Sequence, residues 1–173
     1  MDFHASLELL QKNELFTAWR AKHPKHYLVH GFLMHDAMVR PEWQIGYYGA
    51  DDRIVTFVVS PDGIVTMNPP SEIFKDNTKV KELDASTVTV TVDEALEVAA
   101  HYQQTYYKGH DPSQTMTLLQ HLDRGQIWNI TFITKTFAVC NIKVDADSAE
   151  VLHASCETLL AWGDAIPGER RKG

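Results

Sequence analysis

The chain has 173 residues, room for one ordinary domain or two small ones. Apolar residues make up 44% and charged residues 23%, as in an average globular protein. The net charge is −7, with nine basic against twelve acidic residues up to Ser86 and seven against eleven beyond it; this excludes the polycationic footprint that a nucleic-acid backbone requires. No apolar run approaches the ~18 residues of a membrane span. The stretch from Met1 to Ser6 lacks the basic and apolar regions of a signal peptide, so a cytoplasmic location is expected. Cys140 and Cys156 are too few for a disulfide framework or a four-thiolate zinc site.

Leu7, Leu10, Leu15, Phe16 and Trp19 recur at helical spacing and predict a helix over 6–21, stopped at His23 and Pro24. Alternating strands are expected at 27–34, 43–48, 53–60 and 64–68, with Pro61, Asp62 and Gly63 forming a turn. Residues 75–86 are polar and read as a linker, with a break at Asp76 and Asn77. Residues 87–92 alternate Thr with Val and predict an extra strand. It leads into a second helix that starts near Val92, capped by Thr91 or Asp93, and ends between Gly109 and Pro112. Four more strands are expected at 114–122, 126–134, 136–145 and 150–153. A short closing helix over 156–162 and a frayed basic tail complete the chain.

Shifted by 85 residues, the chain matches itself in order. Trp43, Ile45 and Tyr47 fall on Trp128, Ile130 and Phe132. Val55, Phe57 and Val59 fall on Cys140, Ile142 and Val144, and Ser71 falls on Cys156. Aligned instead on Pro24 and Pro112, His30 falls opposite Leu118. A fixed period of this kind signals duplication. The expected fold class is α+β, with repeat 1 at 1–74, a linker at 75–86, repeat 2 at 87–162 and a flexible tail at 163–173. Each repeat is a helix laid across a four-stranded antiparallel meander, and Trp43 and Trp128 should occupy equivalent buried sites.

The second half carries a recognisable set of motifs. Thr91, Val92, Asp93, Glu94 and Ala95 open a helix; Trp128, Ile130 and Phe132 lead a strand; Val144, Asp145, Ala146, Asp147, Ser148, Ala149, Glu150, Val151 and Leu152 close the unit. This resembles a PepSY domain, in which Thr-Gly is favoured where Ser148 and Ala149 stand here. The resemblance implies a cystatin-like fold and no catalytic constellation. PepSY domains occur beside peptidases and in cell-envelope proteins as binding or inhibitory modules, and tandem copies are known.

Chemistry-bearing residues remain to be weighed. His23, His26, His30 and His35 cluster, but His26 and His30 on one strand lie roughly 13 Å apart, too far for one ion without other partners; no metal or other cofactor is expected. Cys156, at an expected helix start, has His153 three residues before it, which makes a Cys/His nucleophile pair conceivable. The simpler reading makes both cysteines packing residues. Asp51, Asp52, Asp62, Asp145 and Asp147 fall in turns, where Asp bonds its own backbone. Tyr27, Tyr48, Tyr106 and Tyr107 are the candidate ligand or partner surface. The expectation is a non-enzymatic protein that binds a protein or peptide, with sheet edges able to pair in a homodimer. The alternative is a hydrolase using Cys156 and His153 or a His-based metal site.

Overall fold

The structure is a computed structural model that describes residues 1–36, 38, 40–72 and 80–158. Asp2 caps α1 (Phe3–Lys12), its carboxylate accepting from the Ala5 amide at 2.8 Å. Asn13 then ends α1 and starts α2 (Glu14–Lys22). Its backbone N–H donates to Leu10 O, its side chain accepts from the Leu15 amide, and its own backbone is extended. The single helix expected over 6–21 is therefore two. Asn competes for backbone hydrogen bonds and favours caps over helix interiors.

Strands β1 (Tyr27–His35), β2 (Trp43–Tyr48), β3 (Arg53–Val59), β4 (Val65–Met67) and β5 (Ser71–Glu72) follow. After a 3-10 turn at Ala85–Thr87 comes α3 (Val92–Tyr106), begun by a capping box between Thr91 and Glu94. The chain continues through β6 (Pro112–Leu122), β7 (Gly125–Thr134), β8 (Ala138–Asp145) and β9 (Val151–Thr158). No helix among the described residues is long and apolar enough to cross a membrane.

Two expectations are corrected. Residues 87–92 form no strand. Instead the Thr89 and Val90 amides both donate to Ala146 O at 3.0 Å, pinning the start of α3 to the turn after β8. Cys156 lies inside β9 rather than at a helix start, because its ladder with β8 runs from Val144↔Val151 to Ala138↔Thr158. Residues 159–162 and the tail at 163–173 lie outside the described residues. So do residues 75–79 of the expected linker. The rest of that linker is tied down: Leu83 is buried, and its amide donates to Leu28 O at 2.8 Å.

The described strands form one nine-stranded antiparallel sheet in the order β4-β3-β2-β1-β6-β7-β8-β9, with β5 also on β3. The seam at its middle pairs β1 with β6 from His30↔Gln120 to His35↔Thr115. The helices cover one face. Alternate strand residues, among them Ile45, Phe57, Ile130 and Ile142, meet Phe3, Leu10, Phe16 and Ala99 there in one continuous core.

Trp43 and Trp128 lie at its centre, 1% and 0% exposed, with ring centroids 6.2 Å apart. The indole of Trp43 donates to Met1 O at 3.0 Å, and that of Trp128 to Val90 O at 2.9 Å. Each acceptor stands two residues before the first residue of a helix. Phe3 reaches both rings edge-on, at 5.4 and 6.5 Å. Gly31 on the seam allows this: a Cβ there would lie 2.5 Å from the Phe3 ring.

Candidate functional site: a hollow on the helix-free face

The other set of alternate residues faces away from the helices, and there the sheet forms a hollow of about 840 Å³. It lies at the end where β1, β3, β7 and β9 begin and β6 and β8 finish. Irregular register on β1 after Leu28 and on β9 after Val151 lets Val29 with His30, and Leu152 with His153, border it in adjacent pairs. Ile54, Leu118, Leu122 and Ile127 supply more of its apolar wall. Val80 and Lys81 close one side. They are held by the Tyr27 hydroxyl, which donates to Val80 O at 3.0 Å, and by Lys81, which donates to Leu122 O at 3.3 Å and pairs with Asp123 at 2.9 Å.

His30 is the innermost titratable group. Its ring lies over Gly46, where a Cβ would collide with it. Burial pushes its pKa down to about 4, so at neutral pH it is an uncharged hydrogen-bonding group. Among the described residues it has no hydrogen-bond partner, nor does Gln120, its neighbour across the seam. Next in line, Asn129 stands between Leu118 and Lys143 in the ladder, and its Oδ1 is buried without a partner among the described residues. His121 donates through Nδ1 to Glu82 O at 2.7 Å. Arg124 and Lys143 line the hollow and form no ion pair among the described residues. Asp145 lies beyond Ile127 in register but accepts the Asp147 and Ser148 amides, both at 2.9 Å, which hold its carboxyl below the usual range.

The structure divides the four tyrosines. Tyr27 and Tyr48 meet at 5.5 Å beside the hollow, in a small cluster with Val29 and Ile54. Tyr48 is buried, because Ile54 and Tyr27 cover it. Tyr106 and Tyr107 are at the end of α3 on the other side of the sheet, their rings tilted against that of Tyr102. They share no surface with the first pair.

Cys156 and His153 are not paired either. Cys156 faces Cys140 directly across the ladder and is disulfide-bonded to it, on the helix side, while His153 stands beside Lys143 on the hollow side. The histidine cluster also disperses. His23 donates through Nδ1 to Trp19 O and stacks on its ring, His26 packs edge-on against both, and His35 is in hydrogen-bond reach of Thr117. Among the described residues no group of three potential ligands could hold a metal ion. Lys81, His121, Arg124, Ile127 and Lys143 had no signal of their own in the sequence.

No known protein family and no curated protein matches this chain. Among solved structures, a Clostridium difficile 630 protein proposed to be a lipoprotein matches with a TM-score of 0.57. The match covers 86% of this chain and 98% of that one at 15% identity, so the likeness is one of fold.

Proposed function

We propose that this protein is a non-catalytic binding module built from two PepSY-like, cystatin-like repeats, which holds a protein or peptide partner on its helix-free face. The observation that carries this reading is the hollow of about 840 Å³, with apolar walls and two polar side chains, His30 and Gln120, that form no hydrogen bond among the described residues. Ligand sites have that composition and size.

Several features support the duplication. The two indole bonds to carbonyls just ahead of a helix are alike. Gly31 pairs with Leu119 on the seam, and these two stand at the same offset as Pro24 and Pro112, so a two-fold relation between halves would pass through that pair. Ala149 adopts φ 61°, a glycine conformation at the position where the PepSY pattern favours glycine. The Cys140–Cys156 bond favours an oxidising compartment over the cytoplasm expected from the N-terminal residues.

The test is capture of a partner from the native source by the wild-type chain and by Leu152→Arg, which places a bulky charge on the hollow wall. A partner bound by the first and lost by the second is the expected result. A partner retained equally by both overturns the assignment of the face.

A further inference from the structure

We infer that the hollow recognises an acidic peptide segment, one that presents carboxylates among apolar side chains; this rests on the binding role proposed above. Charge points to the acidic part. The chain carries −7 overall, yet among the described residues Lys81, Arg124 and Lys143 line the hollow against a single carboxylate, Asp123. Asp123 is engaged by Lys81, and Asp145 nearby is satisfied by its own turn. Arg124 and Lys143 remain to meet an incoming anion, and a local field opposite to that of the whole molecule steers such a ligand to this end of the sheet.

Hydrogen bonding points to the peptide. His30, Gln120 and Asn129 face this side of the sheet without partners among the described residues. An acyl chain offers nothing to such groups, and leaving them buried and unpaired opposes its binding. A peptide backbone brings one donor and one acceptor per residue. The apolar walls then take its alternate side chains.

The experiment is an amide chemical-shift titration of the full chain with three probes. The first is a short acetylated peptide alternating leucine and glutamate, the second its glutamine counterpart, the third sodium dodecanoate. The expected result is that the acidic peptide shifts amides around His30, Gln120 and Ile127. It should bind roughly tenfold tighter than the glutamine peptide, with the advantage shrinking as salt is raised. The double variant Arg124→Glu with Lys143→Glu should lose that preference while keeping the wild-type melting temperature, and Lys108→Glu, away from the hollow, should keep it. Equal binding of the two peptides in the hollow overturns the acidic ligand and leaves the binding face intact. Tighter binding of dodecanoate at the same amides overturns the peptide. Shifts confined to the helix side, or none with any probe, overturn the inference, and partner capture by Leu152→Arg then decides separately whether the proposed face stands.

Discussion

The same strands present two very different faces. On the helix side Trp43, Trp128, Ile130 and Ile142 are almost completely dry, and both indole N–H groups are matched to carbonyls. On the far side Leu118, His30 and Lys143 are half-buried around a buried Ile127, and Asn129 Oδ1 is left unpaired. Buried polar groups without partners cost stability, so a fold keeps few of them. Among the described residues there are two, Gln126 Oε1 on the helix side and Asn129 Oδ1 on the far side. Alternation with period two divides the strands: one set of residues forms the core and the other set lines the hollow.

The largest effect that tests this contrast is at the core. Trp128→Ala should destabilise by about 3–5 kcal/mol in denaturant melts. Leu118→Ala, on the hollow wall, should cost less than half as much; equal costs would break the distinction between the faces. The disulfide belongs to the stabilising face. Mass spectrometry under non-reducing conditions should find no free thiol, and reduction should cost about 3 kcal/mol, as expected for cysteines sixteen positions apart.

The hollow side should betray itself through pH. His30 titrates at about 4 when folded and near its ordinary value of 6.5 when unfolded. Between those values the unfolded chain binds a proton that the folded one does not. Stability is therefore intact above pH 6.5 and falls as pH drops toward 4, by up to roughly 3 kcal/mol. The difference between wild type and His30→Gln over that window isolates this contribution; parallel curves would show that the ring is not desolvated. The smallest effect lies in a turn between the faces. Ala149→Gly should stabilise by about 1 kcal/mol, since φ 61° is strained for alanine, and a thermal melt suffices to see it.

The sequence made the strands legible because Trp43, Ile45 and Tyr47, like their counterparts on β7, alternate cleanly. It hid the break in the first helix, because Asn13 sits within an otherwise amphipathic run and its two capping bonds are visible only in three dimensions. Cys156 was misread for a related reason: Ala154, Ser155, Cys156 and Glu157 carry weak propensity either way, and the ladder with β8 decides them. The hollow was not legible. Its residues run from Val29 to His153, and only the register of β1 on β6 brings them together. Singly, Arg124 and Lys143 read as ordinary surface charges.

That seam has a consequence for the order in which the molecule is made. Neighbouring strands within each half are joined by short connections, whereas His30 and Gln120 are ninety residues apart in the chain. Closing so long a loop is entropically dear, and pairings of this kind form late and slowly. Before it closes, β1 and β6 each present a bare strand edge, a template for mispairing between chains during refolding. His30 stands on one side of that junction and Leu118 on the other. The hollow spans that seam, so its two sides come together only when the two halves pair.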